Sequence, residues 1–408
     1  MDVDRVFSLD RAATETVGRF PAHRFAYADL SATEGRPFIA LVGPRGAGKT
    51  ILLRQMRVNS SNAVYISADT LEPDTDLYEL VRVLYSQFGV RNCYIDEIHY
   101  IPGFAGFLKT IYDFLPVRLW FSSSVALALD QTRWDLARRV LAYRLDPFSY
   151  REYLWFTEDV RLEALSLQTC LTETIPSDYL RSGSRFHDYL RGGLHPFLLE
   201  PGAGLPVFEN IVDTVINRDI PAVEPSVAVS DLENLDRVVR FIGRSAVDGI
   251  NYTTLARNLG ITVYKAEQYL SWLERSFVVT RVFPAGTNVL KEPKVLLQLP
   301  YRLLYQDFEQ AVGGLREEFF ALAMRQHSCT FQYAKSTRGA KTPDFLLSGT
   351  TSAELNGTVV EIGGPGKGRS QFKGFDYERK VVLFDDIQLK KVRIDPGLRV
   401  PLFCIGFA

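Results

Sequence analysis

Cysteine is scarce. Four residues, Cys93, Cys170, Cys329 and Cys404, stand far apart in a chain of 408. No pair has a CxxC spacing or a histidine cluster beside it, which argues against a zinc site, and scattered thiols suit a reducing compartment better than a disulfide framework. Net charge is nearly absent too. Lysine plus arginine (47) against aspartate plus glutamate (48) leaves −1, so no overall basic field draws the chain onto nucleic acid or an anionic membrane, and only a local patch could do so. No long apolar run exists. The best stretch, Val117 to Leu129, is broken by Arg118 and by Ser122-Ser123-Ser124, short of the roughly eighteen residues a membrane helix needs. The start, Met1-Asp2-Val3-Asp4-Arg5, is charged and unlike a signal peptide. These absences predict a soluble, cytoplasmic protein without a membrane partner.

Glycine (29) and proline (20) occur at ordinary levels, which excludes long low-complexity linkers. Hydrophobic residues at 46% and charged residues at 23% exclude a disordered or fibrous chain. At about 150 residues per domain, the length predicts roughly two to four domains.

The strongest motif begins at Phe38. Phe38-Ile39-Ala40-Leu41-Val42 is a short apolar run suited to a buried parallel strand. It leads into Gly43-Pro44-Arg45-Gly46-Ala47-Gly48-Lys49-Thr50, then Ile51-Leu52-Leu53 opens a helix. This is GxxxxGK[ST] in its strand–loop–helix setting. Phosphate oxygens need converging backbone N–H donors, glycines permit that path, and the helix adds its positive dipole end. Residues 43 to 51 are therefore the expected nucleotide-binding set, with Lys49 reaching the β- and γ-phosphates and the Thr50 hydroxyl holding Mg²⁺.

A second signal supports the first. Cys93-Tyr94-Ile95 reads as a strand ending in Asp96-Glu97. Asp96 is expected in the Mg²⁺ shell opposite Thr50, and Glu97 is expected to polarise the attacking water. Between and after these motifs, strands at Ala63–Ile66 and Arg118–Phe121 alternate with helices. One helix runs from Leu77 to Phe88, started by Asp74 or Thr75 and stopped by Gly89, and another from Phe104 to Leu115. The alternation predicts a doubly wound α/β sheet. Ser122, at the end of the Arg118 strand, is placed beside the acidic pair as a candidate γ-phosphate sensor, with helix capping as its ordinary alternative.

Together, Gly43 to Thr50, Ile95-Asp96-Glu97-Ile98-His99 and Leu119 to Ser124 resemble the AAA-type ATPases of bacteria and archaea. Further stretches occur in that family's order: Leu136-Ala137-Arg138-Arg139-Val140, Leu145-Asp146-Pro147-Phe148-Ser149-Tyr150-Arg151-Glu152-Tyr153, Tyr189 to Pro196, and Asn217-Arg218-Asp219-Ile220. The resemblance implies an N-terminal P-loop domain with a RecA/AAA-like parallel sheet. It also implies a helical and winged-helix middle and a C-terminal α/β domain like restriction endonucleases. The expected segments are 1–156 for the ATPase domain, 157–230 for a helical lid, 231–285 for the winged helix and 286–408 for the nuclease-like domain. Arg139 matches the arginine of the family's "GR" pair, expected to approach a phosphate in cis or from a neighbouring subunit. Arg138 replaces the glycine before it, so both arginines are carried as candidates.

Leu235 to Phe283 has winged-helix proportions. A helix over Tyr252–Leu259, the Gly260 turn and the Thr262 cap lead to a second helix with Val263, Ala266, Leu270 and Leu273 on one face, then a wing strand at Phe277–Val282. The outward residues Tyr264, Lys265, Glu267, Gln268 and Glu274 mix charges poorly suited to a phosphate backbone, which favours a protein-contact module over a DNA reader. Further on, Thr342-Pro343-Asp344 and Val359-Val360-Glu361-Ile362-Gly363 look like the PD-(D/E)xK nuclease pattern. The lysine position is Gly363, with Lys367 four residues beyond, so a degenerate, noncatalytic domain is expected.

The resulting expectation is a Mg²⁺-dependent ATPase that couples its nucleotide state to the winged-helix and nuclease-like modules. A slow regulatory switch and a DNA-processing protein are the alternatives. Expected partners are ATP or ADP and another protein met through the winged-helix or C-terminal segment. DNA is the weaker candidate, and assembly into a homo-oligomer stays open.

Overall fold

The computed structural model of the protein describes residues 3–72, 74–126, 136, 138–247, 249–286, 292–334, 343–349, 352–364, 372, 377, 379–386 and 394–408. Ala137, Thr342 and Lys367 lie outside the described residues. The chain folds as two compact units, Met1–Pro147 with Ile211–Leu232 and Arg275–Phe277, and Phe148–Asn210 with Glu233–Glu274 and Val278–Ala408. That grouping cuts across the four consecutive segments expected above.

In the first unit, α1 (Val3–Val17) and α2 (Ala26–Ser31) precede an alternating series. It runs β1 (Phe38–Val42), α3 (Lys49–Val58), β2 (Ala63–Ser67), α4 (Leu77–Phe88), β3 (Asn92–Asp96), α5 (Phe104–Phe114), β4 (Arg118–Ser123) and β5 (Val140–Arg144). The strands form one sheet, ordered β2-β3-β4-β1-β5, and every pairing is parallel. Strand β1 is buried along its whole length, as a central parallel strand must be. Ile39 and Leu41 of β1, Tyr65 of β2, Tyr94 of β3 and Trp120 of β4 pack with Ala13, Leu30, Leu52, Leu53 and Met56 of α1 to α3. Helix α4 buries Leu77, Leu80, Val81 and Leu84 and ends on Gly89 in the left-handed region. Its start differs from expectation: the capping side chain is Asp76, which accepts the Glu79 N–H, rather than that of Asp74 or Thr75.

The second unit opens with α6 (Tyr150–Glu158), which Ser149 and Glu152 start with a reciprocal capping box. The stretch from Phe156 to Arg185, irregular in pattern, places Leu167, Cys170, Leu171, Ile175 and Tyr179 in this unit's core. Next come α7 (Val229–Arg244, in this unit from Glu233 on), α8 (Tyr252–Leu259), α9 (Val263–Arg275) and an antiparallel hairpin of β6 (Val279–Val282) and β7 (Lys294–Leu297). On α9, Ala266, Leu270 and Leu273 are buried as expected, whereas Val263 is exposed. Helix α10 (Phe308–Gln326) leads into β8 (Thr330–Tyr333), β9 (Phe345–Gly349), β10 (Val359–Gly363), β11 (Lys380–Phe384) and β12 (Arg399–Pro401). These make a mixed sheet ordered β12-β11-β10-β9-β8, with β8, β9 and β10 antiparallel and β10, β11 and β12 parallel.

Among the described residues no helix is long and apolar enough to cross a membrane. All four cysteines are buried and reduced.

Candidate active site

Ligands in open parallel sheets gather beyond the carboxyl ends of the strands, at the point where the strand order reverses. Here that point is β1, whose neighbours are β4 and β5. The loop from Gly43 to Gly48 leaves β1 and enters α3 at Lys49. Its path is set by close backbone approaches. The Gly43 N–H donates to the Ser123 carbonyl (3.3 Å) and the Leu145 N–H to that of Val42 (2.8 Å). A β-carbon on Gly43 would lie 2.0 Å from the Leu145 oxygen, so only glycine fits. Gly46 and Gly48 turn the loop with φ of 78° and 89°. Arg24 braces it from outside, donating to the carbonyls of Ala47 (2.7 Å) and Asp146 (2.8 Å).

Lys49 is buried, and its Nζ donates to the carbonyls of Gly43 (2.8 Å) and Pro44 (3.0 Å), folded over the loop that carries it. Burial lowers its pKa, opposed by the charges of Glu97 and Asp96. The next residue, Thr50, has its side chain close enough to Asp96 to favour the ionised carboxylate. Asp96 is buried at the end of β3. It accepts from the Tyr65 hydroxyl (2.8 Å) and from the Ser122 hydroxyl. Burial raises the Asp96 pKa, the neighbouring Glu97 charge adds to that, and the nearby Ser122, Thr50 and Tyr65 hydroxyls oppose it. A hydroxyl and a buried carboxylate side by side are the hard oxygen donors that suit Mg²⁺.

Ser122 lies beside the acidic pair, at the end of β4. Its hydroxyl is turned to Asp96 and accepts the Glu97 N–H (2.9 Å), so it organises the acidic pair. Glu97 itself sits in the left-handed region (φ 51°, ψ 48°), a conformation costing a non-glycine residue about 1 kcal/mol and common at functional sites. Its carboxylate accepts the Ser124 N–H (3.1 Å), and lies 3.4 Å from His99 Nδ1 and 3.8 Å from Arg45 Nη1.

Arg139 lies away from the loop in this chain. Its carbonyl accepts the N–H of Phe38, the first residue of β1, and its guanidinium is paired with Asp113 (3.1 and 2.9 Å). In a parallel sheet this is the amino end of the strands, opposite the loop. Arg139 and the adjacent Arg138 therefore do not reach the loop within the same chain.

Several neighbours were not assigned a role from sequence. Asp219, fully buried, comes from the Ile211–Leu232 segment and takes Arg45 in a two-pronged pair, Nε to Oδ2 at 2.6 Å and Nη2 to Oδ1 at 2.7 Å. The hydroxyls of Tyr100 (2.7 Å) and Ser124 (3.2 Å) also donate to it. His99 Nε2 lies 3.8 Å away, longer than a hydrogen bond. Arg218 stacks its guanidinium 5.4 Å above the Tyr100 ring. Burial would raise the Asp219 pKa, but the Arg45 hydrogen bonds and charge hold it well below the usual carboxylate range. Tyr65, His99, Tyr100 and Asp219 carried no spacing signal of their own. The Asn217-Arg218-Asp219-Ile220 stretch and His99 in Ile95–His99 were the only cues.

Comparison with known proteins adds a family to this geometry. Residues 35–154 match the family described as "AAA domain", and residues 189–298 match a domain of unknown function, DUF8612. An uncharacterised protein of Methanocaldococcus jannaschii is 27% identical over 370 residues, covering 80% of this chain and 76% of its own. Among solved structures, the Orc1 protein of Aeropyrum pernix in complex with DNA has 13% identity and a TM-score of 0.32, covering 74% of this chain and 94% of its own. AMPPCP-bound DnaA of Aquifex aeolicus has 12% identity and a TM-score of 0.23, covering 65% and 88%. The family match spans the loop, the acidic pair and Ser122 together, and residues 35–154 of this chain are a P-loop domain of the AAA type.

Proposed function

We propose that the first unit binds ATP with Mg²⁺ and hydrolyses it. The observation that carries this reading is the juxtaposition of Thr50 with Asp96 at the foot of a glycine loop whose lysine is already folded inward. Loop amides and the α3 amino terminus supply the phosphate donors. The Lys49 ammonium exchanges two loop carbonyls for phosphate oxygens, a stronger, charge-assisted pairing. Thr50 and Asp96 are the residues that would hold Mg²⁺, which neutralises charge between the phosphates when bound. Glu97, set off the strand end by its left-handed backbone, orients a water and takes its proton as the γ-phosphoryl group leaves ADP. Ser122 keeps Asp96 and Glu97 in register.

The second unit is read as the module that responds to nucleotide state. Helices α8 and α9 with the β6–β7 hairpin fit a winged helix. Its outward face favours a protein over DNA: Tyr264 is 72% exposed, and Glu274 is neutralised by Arg281 at 2.7 Å. The order α10–β8–β9–β10 supports a nuclease-like ancestry. Asp344 enters β9 and accepts the Ile362 N–H (2.7 Å) beside Glu361. Gly363, buried on β10, holds the place of the missing lysine, so this part is proposed to be noncatalytic.

The test is phosphate release from ATP. The wild type is expected to turn over only with Mg²⁺, and Lys49→Ala to lose both binding and turnover. Glu97→Gln should still bind ATP while turning over at least about a hundredfold more slowly. A Lys49→Ala protein that keeps binding and turnover would show that the loop has been misread.

A further inference from the structure

The third residue of the loop is not needed to build a phosphate cradle, yet the Arg45 guanidinium makes three side-chain hydrogen bonds. Two of its nitrogens are committed to Asp219, and Nη2 also donates to the Tyr100 hydroxyl (2.9 Å). A planar guanidinium held by two parallel bonds has no rotational freedom left, so the direction of its remaining nitrogen is fixed. That nitrogen, Nη1, points to the Glu97 carboxylate, 3.8 Å away. Glu97 is the residue beside which the attacked phosphorus must lie. Arg139 and Arg138, the arginines expected at the phosphate, are at the other end of the sheet.

We propose that Arg45 is a catalytic arginine supplied from within the loop, presenting Nη1 to the terminal phosphate, and that Asp219 is the positioning residue that aims it. The inference rests on the reading of Gly43–Thr50 as a triphosphate site. Before the phosphate arrives, Arg45 Nη1 and Glu97 neutralise each other. The terminal phosphate takes over Nη1, and Glu97 is released to the water. The guanidinium then faces the charge that grows on the equatorial oxygens as the bond to ADP breaks, where a fixed donor counts most. Asp219 can do this only because it is buried and has Tyr100 and Ser124 as further donors, so it stays ionised and immobile while Arg45 gains a second anion. The opposing reading is a tether, with the pair serving only to hold the Ile211–Leu232 segment in its unit.

The two readings separate in the full-length protein with Mg²⁺. Removing Arg45 alone strands a buried carboxylate, so the informative variant is the double R45Q/D219N, which removes both charges. It is compared with the wild type and D219N for three quantities: ADP affinity, the gain in affinity on adding aluminium fluoride to ADP, and kcat against KM for ATP. The double variant is expected to bind ADP within about threefold of the wild type, while its aluminium fluoride gain and kcat fall about a hundredfold or more. D219N is expected to lower kcat with KM nearly unchanged. A double variant that binds ADP and keeps the wild-type fluoride gain and kcat overturns the proposal and leaves the tether. A wild type that binds no adenine nucleotide overturns the reading of the loop and this inference with it.

Discussion

A carboxylate with no exposure at all, such as Asp219, stays ionised only while its donors stay in place. Its protonation would therefore be felt by the first unit. Burial pushes its pKa up, but the Arg45 hydrogen bonds and charge bring it below the ordinary 3.8. A carboxyl depressed in the folded state contributes stability that is fully present above its unfolded pKa and is lost as pH falls through its lower folded value. Urea unfolding of the wild type and Asp219→Asn should therefore differ by a constant amount above about pH 5 and converge below it. A difference that does not vary across that range would mean Asp219 is not held ionised by Arg45. This residue also marks the limit of what the sequence discloses. Lys49, Thr50, Asp96 and Glu97 were legible because Lys49 and Thr50 open the helix after a glycine loop and Asp96 and Glu97 close a strand, where local pattern determines position. Asp219 lies 174 residues from Arg45, and no periodicity connects two side chains that meet only in the folded unit. Arg139 shows the converse. Its stretch resembles the family's in order, but order along the chain does not say at which end of a parallel strand a residue falls.

At the scale of elements, the parallel sheet leaves β2 as an edge strand, whose outward backbone donors face no partner strand. Helix α1 covers it. Asp10, buried on that helix, accepts the outward Tyr65 N–H (2.8 Å) and a two-pronged pair from Arg57 of α3 (both 2.6 Å). One carboxylate thus ties the N-terminal helix to the sheet edge and to the helix that follows the phosphate loop. Asp10→Ala leaves a buried N–H and a guanidinium without their acceptor and should cost about 2–3 kcal/mol, read as a lower urea midpoint at unchanged m-value. Loss of less than about 0.5 kcal/mol would mean α1 is only loosely attached. The alternation of strands and helices from β1 to β4 was readable in the sequence, because buried parallel strands are continuous apolar runs and the helices between them keep a 3.6-residue period. The Asp10 anchor was not, since α1 is polar over most of its length and its single buried acid leaves no pattern. The stretch from Phe156 to Arg185 was opaque for a related reason. Its helices run only six and five residues, too short to show a period.

At the scale of the whole molecule, near-zero net charge leaves no overall basic field, and the basic residues of α8 and α9 are sparse. With Gly363 in place of a lysine beside Asp344 and Glu361, supercoiled plasmid incubated with the protein and Mg²⁺ should stay intact. Cleavage that disappears in Asp344→Asn would reverse that assignment. Every role assigned to the first unit requires that it grip a triphosphate. Isothermal titration of the full-length protein with ATP at millimolar Mg²⁺ tests this most directly. One saturable site is expected in the wild type and no binding in Lys49→Ala, whereas a flat titration of the wild type, or equal binding in both, would contradict it.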